Sequence, residues 1–332
     1  MCGKGVCILP WLRFSVPASA DGQRLGVFLR TRGVSASCIK AVKHQGNGFF
    51  ADDAPLHTDQ PVHAGQCVAF ALPPEPPTSV EPQPVPFETV YEDDFAAVVD
   101  KPAGLAVHPT LNYPDATLAN GWLYRLAGQG RTGVFRPVNR LDKNTSGLVL
   151  LAQNAFAAPL LAASAAKCYL ALAEGNIEPG PHTVDAPIAR RGDTIIGRCV
   201  RQDGKPSLTK LWALASAGGH TLIACRPVTG RTHQIRVHMA YLGHPLAGDT
   251  LYGGHTALIQ RHALHCAILT FHDPVTSAPR WFASPAPGDL HTALCSCGLP
   301  SGAELFKLLK ALPAEFSLGM ETRADGVERS TL

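Results

Sequence analysis

The sharpest step from polar to apolar positions lies between the cluster Asn139-Arg140-Leu141-Asp142-Lys143-Asn144-Thr145-Ser146-Gly147 and the run Leu148 to Ala152. An apolar run of that length bounded by a glycine predicts a buried strand, which places Asp142 on a loop held by the core. Downstream, Ala155 to Ala166 predicts an alanine/leucine helix and Lys167 to Glu174 a strand. Lys210 to Ala215 and His220 to Arg226 predict a hairpin through Gly218-Gly219, a common turn pair. A helix is predicted to begin within Thr229 to His238 and to run to about Leu242, with Ile235, Met239 and Leu242 on one face. His262 to Phe271 predicts a further strand region. Upstream, Thr89 to Tyr91 and Ala96 to Asp100 predict two strands joined through Glu92-Asp93-Asp94, followed by an irregular loop over Lys101 to Pro109 and a helix over Thr117 to Ala127.

Residues 1–72 read as a small module of their own. It has short helices over Gln23 to Arg32 and Ser37 to Lys43, split at Gly33, then strand runs at Gly48 to Ala51 and Cys67 to Leu72. Residues 73–87 carry prolines at 73, 74, 76, 77, 82, 84 and 86, which predicts an extended, semi-rigid linker. Residues 88–300 form the main domain, and 301–332 a C-terminal tail with one short helix, Leu305 to Leu312, and a disordered end.

Composition narrows the picture modestly. A chain of 332 residues, 45% hydrophobic and 17% charged, has ordinary globular composition and room for one large and one small domain. The formal charge of +3 permits an anionic partner without demanding one. Arg24, Arg30, Arg32, Lys40 and Lys43 lie on or near the two N-terminal helices, which suits either a phosphate backbone or a solvated helix face. The ten cysteines form no C-x-x-C pair, so a zinc site is not expected. No run approaches the ~18 apolar residues of a membrane span, and the N-terminal apolar core is too short for a secretory signal. A cytoplasmic protein is expected.

The candidate chemistry sits in two stretches. Arg140 and Lys143 flank Asp142, and nearby cations favour an ionised carboxylate. The alternative for an isolated R-x-D is a surface ion pair. Arg231 falls at the predicted start of the later helix, where an arginine can hold a carboxylate bidentately, so it is the expected partner of Asp142 if the two stretches meet. A phosphate-binding or structural arginine is the alternative. His233 and His238 lack the i,i+4 spacing of a helical metal pair. There is no G-x-S-x-G, P-loop or dinucleotide fingerprint. A glycosidase would need a second carboxylate, for which Asp249 is a candidate, although a turn aspartate is the favoured reading of that residue.

Five motifs, in order, resemble the RluA-type pseudouridine synthases over roughly residues 88 to 290. Asn139 to Gly147 is similar to that family's H-R-L-D-x-x-T-S-G, departing from it at Asn139. Gly230 to His238, with Gly243 to Asp249 and Tyr252-Gly253-Gly254, is similar to its later motif. Lys101 to Pro109, Lys167-x-Tyr169 and Arg261 to His265 also match. The resemblance implies an α+β fold, a mixed, largely antiparallel sheet with flanking helices and a central cleft. It implies isomerisation of uridine to pseudouridine in ribosomal or transfer RNA, without cofactor or metal; base flipping follows because the target atoms lie within a stacked strand, and a monomer is expected. By the same resemblance Asp142 is the catalytic aspartate, Arg231 its partner and Tyr169 the ring that stacks on the base. Arg140 fills the gap left by the flipped nucleotide and Ile235 lines the uracil pocket, with Asn139, Lys167 and Thr145 as further substrate-binding positions. Residues 12–72 resemble an S-four-type RNA-binding module, departing from its pattern at Gly26 and at Ala36 or Ser37. The rival readings are a catalytically silent RNA-binding factor and a nucleoside glycosidase.

Overall fold

In the computed structural model, which describes residues 11–75, 78–194 and 196–318, the N-terminal segment folds around its own small core. It contains β1 (Trp11–Ser15), α1 (Leu25–Thr31), α2 (Ala36–Gln45), β2 (Phe49–Ala51), β3 (Ala54–Leu56) and β4 (Cys67–Ala71). The strands pair antiparallel in the order β1-β4-β2-β3. Helix α2 starts where Ser35 caps it, the Ser35 hydroxyl accepting the Cys38 N–H at 3.2 Å. Leu12, Leu25, Phe28, Leu29 and Phe70 fill this core, and Phe156 from further along the chain completes it.

The proline-rich stretch that follows is laid against the rest of the molecule. Glu75 pairs with Arg136, the Asn120 amide donates to the Glu81 carbonyl at 2.8 Å, and Val85 packs on the bare face of Gly121. Prolines lack N–H groups but keep their carbonyls, so such a segment suits docking onto donors.

The main sheet takes up β5 (Glu88–Glu92), β6 (Ala96–Lys101), β7 (Ser146–Ala152), β8 (Ala166–Glu174) and β9 (Gly180–Asp185). Strands β10 (Ile188–Arg190) and β11 (Arg198–Val200) form a separate ribbon. Then come β12 (Leu208–Ala217), β13 (His220–Pro227), β14 (Leu264–His272) and β15 (Pro279–Ala283). Among the described residues the large sheet has nine strands in the order β5-β6-β7-β14-β8-β13-β12-β9, with β15 alongside β14. Its helices are α3 (Leu118–Gly128), α4 (Ala157–Ser164), α5 (Gln234–Tyr241), α6 (Gly288–Ser296), α7 (Gly302–Lys310) and α8 (Ala314–Ser317). This is the expected α+β architecture, a mixed and largely antiparallel sheet with flanking helices. The hairpin β12–β13 turns through Gly218 and Gly219 at φ 57° and 74°, a conformation glycine takes freely.

Both faces of the sheet are covered. Successive side chains on β8 go to opposite sides, Tyr169, Ala171 and Ala173 into one core and Cys168, Leu170 and Leu172 into the other. The second core takes Leu305 and Leu309 from α7, Phe316 from α8 and Leu312 from the turn between them. Residues 301–318 are therefore not the tail expected. They hold two helices, and the apolar i, i+4 positions of α7 cover sheet surface that would otherwise face water. The end expected to be disordered lies outside the described residues.

Within the large sheet, β7 and β14 run parallel, with Gly147 opposite Cys266. Gly147 has φ 107°, and a Cβ there would lie 2.3 Å from the Cys266 carbonyl oxygen. Only glycine permits this approach, and it fixes the root of the Asp142 loop.

Candidate active site

The loop before β7 is held at every turn. Asn139 is buried, its Nδ2 donating to the Leu148 carbonyl at 3.1 Å and its Oδ1 accepting the Leu150 N–H at 2.7 Å. The Thr145 N–H donates to the Asp142 carbonyl at 3.1 Å and closes the turn. Thr145 Oγ1 lies 2.8 Å from His262 Nε2, and Ser146 Oγ lies 3.0 Å from His265 Nδ1. The Thr-Ser-Gly run thus docks residue by residue on 262–266. Arg261 adds Nη1 to the Asn144 carbonyl at 3.0 Å, its own fork held by Asp289 at 2.6 and 2.9 Å. Burial lowers His262 to about 3 and His265 to about 4, so both rings serve this loop as neutral groups.

A second clamp comes from the Lys101 loop. Lys101 is fully buried, and its Nζ donates to the carbonyls of Pro102, Leu105 and Lys143 at 2.8, 2.8 and 3.0 Å. Burial, then the charge of Arg261, pulls this ammonium down to about 7. A cavity of about 450 Å³ lies behind it, lined by Asp100, Lys101, Ser146, Arg261, His265 and Asp289 among others and not by Asp142.

On this support the Asp142 carboxylate stands 26% exposed, and its Oδ2 accepts Nη1 of Arg236 at 3.0 Å. The same guanidinium grips Asp249 bidentately, Nε to Oδ2 at 2.7 Å and Nη2 to Oδ1 at 2.8 Å. Burial opposes the charge on Arg236, but Asp249 and then Asp142 outweigh it and hold its pKa above the usual arginine value. His233 Nε2 lies 3.8 Å from the same Asp142 oxygen, and the Tyr252 ring faces the Arg236 guanidinium at 5.0 Å.

The arginine on Asp142 is therefore Arg236, not the expected Arg231. Helix α5 begins at Gln234, later than the sequence suggested. Gln234 Oε1 accepts from Thr229 Oγ1 at 2.7 Å and from the Arg231 N–H at 2.9 Å, closing a turn. That turn sends Arg231 outward, exposed, with its Nε on the Pro206 carbonyl at 3.1 Å. Arg236 had a sequence signal of its own. An arginine between Ile235 and Val237 in a helix body needs a buried partner, and Gly248-Asp249 supplies one.

The other expected site residues divide. Tyr169 is buried on β8 in the same core as Ile235 and Cys266. Burial, then Cys266, raises its pKa well above the usual tyrosine value, and the negative charge of Asp142 adds to this. Lys167 lies two positions earlier on the same strand, its pKa lowered by burial. Arg140 is exposed and makes no hydrogen bond or ion pair with the described residues. Asn139 and Thr145, expected to bind substrate, both find side-chain partners within the protein. Their polar atoms are spent on β7 and on His262. Among the described residues no three His, Cys, Asp or Glu side chains converge to hold a metal ion, and no helix is long and apolar enough to cross a membrane.

Comparison with known proteins matches this geometry to one group. The family model described as RNA pseudouridylate synthase matches residues 96–241, which include Asp142, Tyr169 and Arg236. The ribosomal large subunit pseudouridine synthase D of Xanthomonas campestris is 40% identical over 299 residues, covering 83% of this chain and 89% of the relative. An uncharacterized RNA pseudouridine synthase of Bacillus subtilis is 39% identical, covering 63% and 75%. Among solved structures, human RNA pseudouridylate synthase domain containing 1 superposes with a TM-score of 0.54 at 29% identity, covering 72% of this chain and 99% of that one.

Proposed function

This chain belongs to the RNA pseudouridylate synthase family, and we propose that it isomerises uridine to pseudouridine in structured RNA, with ribosomal RNA the first substrate to test. The observation that carries the reading is the Asp142 carboxylate, partly exposed on a clamped loop with one oxygen fixed by Arg236. The reaction breaks the C1′–N1 bond and makes a C1′–C5 bond on the same sugar, so the base must detach, turn and be held. A fixed carboxylate beside the ribose can serve as nucleophile at C1′ or as base on a sugar proton. Residues of this chain suffice for the step, with no cofactor. The names of relatives such as the Xanthomonas enzyme support ribosomal RNA as the substrate.

Access to the target atoms requires flipping the nucleotide from its stack, at a cost of a few kcal/mol. Exposed Arg140 is free to enter the gap, and Tyr169 would stack on the base, a contact worth ~1–3 kcal/mol. Ile235 and Lys167 would line the same pocket. Arg24, Arg30, Arg32, Lys40 and Lys43, all exposed on or beside α1 and α2, give the N-terminal module a basic surface for additional RNA contact. Its likeness to the S-four type stands as part of this proposal, as does action as a monomer in the cytoplasm.

The test is pseudouridine mapping of total RNA from cells with and without the gene, complemented by wild type or by Asp142→Ala. A site that vanishes and returns only with wild type is the expected result. Restoration by Asp142→Ala would overturn the assignment. Unchanged pseudouridine in every RNA, together with RNA binding by the purified protein, would favour the silent binder.

A further inference from the structure

His233 precedes α5 with φ 58°, in the left-handed region that residues bearing a Cβ rarely adopt. Such a conformation persists only where its surroundings over-determine it, and it gathers at functional sites. Here the surroundings are specific. The ring stands edge-on to Tyr252, 5.7 Å between centroids, with Nδ1 2.7 Å from the Tyr252 hydroxyl. That hydroxyl also accepts the Arg198 backbone N–H at 3.0 Å.

The protons can be placed from these contacts. A phenol has a single proton, and the amide of Arg198 already occupies an acceptor site on the oxygen. The single Tyr252 proton can then be directed to His233 Nδ1, 2.7 Å away, with the ring nitrogen accepting. The neutral ring then carries its own proton on Nε2, the nitrogen that faces Asp142 Oδ2 at 3.8 Å.

We propose that Tyr252 and His233 are a positioning pair for the reaction, Tyr252 fixing the tautomer so that His233 presents an Nε2–H donor to the Asp142 carboxylate. Oδ2 is then held between Arg236 and His233, and Oδ1 is left for the ribose. The 3.8 Å separation closes to hydrogen-bond length when substrate seats the carboxylate, as catalytic hydrogen bonds commonly tighten on binding. Tyr252 is suited to this because its ring also lies against Arg236, so one side chain touches both groups that orient Asp142. Through the Arg198 amide, the β10–β11 ribbon reaches the same pair.

The charge state follows from what faces the ring. Burial, Arg236 and Arg198 oppose protonation of His233, while Asp142 and Asp249 favour it. The Tyr252 hydroxyl adds to the opposition by donating to Nδ1, since a bond to the neutral form disfavours the charged one. Tyr252→Phe removes that opposition and leaves the ring in place.

The inference rests on Asp142 as the reacting carboxylate, and the experiment separates the two. Ring-nitrogen NMR of the full-length protein, with His233→Leu to assign the signal, reads the tautomer without any turnover. The expected spectrum has the proton on Nε2 in wild type and a mixture of tautomers in Tyr252→Phe. A proton on Nδ1 in wild type would overturn the inference whatever Asp142 does. In turnover, Tyr252→Phe is expected to lower kcat about tenfold, the scale of one lost bond to a charged group, at unchanged KM. His233→Gln, which keeps a terminal N–H, should retain more activity than His233→Leu. Equal loss in those two variants would reduce the pair to a structural contact.

Discussion

Arg236→Lys keeps a positive charge at the centre of the site and removes the planar fork. Three charge-assisted bonds, at 2.7, 2.8 and 3.0 Å, leave the guanidinium in two directions, two to Asp249 and one to Asp142. A lysine ammonium is a point donor and cannot match both carboxylates in that geometry. Asp249 is buried and Asp142 is partly exposed, so the ammonium stays with Asp249, where an unpaired charge costs most. Asp142 then loses its orienting bond, and Asp249 one of its two. At ~1.5–3 kcal/mol for a hydrogen bond to a charged group, the two lost bonds amount to about 3–6 kcal/mol before relaxation. The Asp249 share appears as stability and the Asp142 share as rate. A reacting group displaced by about 1 Å costs on the order of a hundredfold, equivalent to ~2.7 kcal/mol in the barrier. Forming the C1′–C5 bond expels the hydrogen on C5, so tritium release from RNA labelled at uridine C5 follows the chemistry directly. Single-turnover release is expected to fall about a hundredfold with RNA affinity unchanged. A wild-type rate in folded Arg236→Lys would refute the argument that Arg236 orients Asp142.

Gly147→Ala places a Cβ 2.3 Å from the Cys266 carbonyl at φ 107°, so overpacking and backbone strain of ~1–3 kcal/mol each should lower the urea midpoint, and an unchanged midpoint would mean β7 and β14 are not in contact. Asn139→Ala strands the Leu148 carbonyl and the Leu150 N–H and should cost ~2–4 kcal/mol of stability. The KM of the variant should not move, whereas a raised KM would return Asn139 to the substrate. His265 is held neutral by burial, near 4 against an ordinary 6.5, so the unfolded chain takes up its proton first as pH falls. Its stability contribution is intact above 6.5 and is lost at ~1.4 kcal/mol per pH unit as pH drops toward 4. His265→Gln should therefore lose less stability than wild type between those limits, and parallel losses in the two proteins would sink the claim.

The motif around Asp142 was legible because it combines signals that do not depend on context. A polar cluster, a glycine and an apolar run predict a loop entering a buried strand in any fold, and β7 is buried from Ser146 to Ala152. The β12–β13 hairpin was legible for a similar reason, since two glycines at positive φ are a local requirement. The tail was misread because amphipathic spacing over Leu305 to Leu312 shows that a face will be buried but not where.

Sequence alone determined the chemical groups and the order of the motifs, and with them the family. Tertiary structure alone decided which arginine meets the aspartate. Arg231 and Arg236 are five residues apart in one motif, and their charges are equivalent on paper. The difference is geometric. A turn closed by Gln234 delays α5 until Arg231 faces solvent and Arg236 faces inward. Pairing across 94 residues then depends on the sheet order β7-β14-β8-β13, which sets the Asp142 loop before β7 near the helix that follows β13. The same holds for Asn139 and Thr145, polar residues whose types suit a substrate and whose partners turn out to be the protein itself. Burial and hydrogen-bond partnership are properties of the packed chain, and no local pattern carries them.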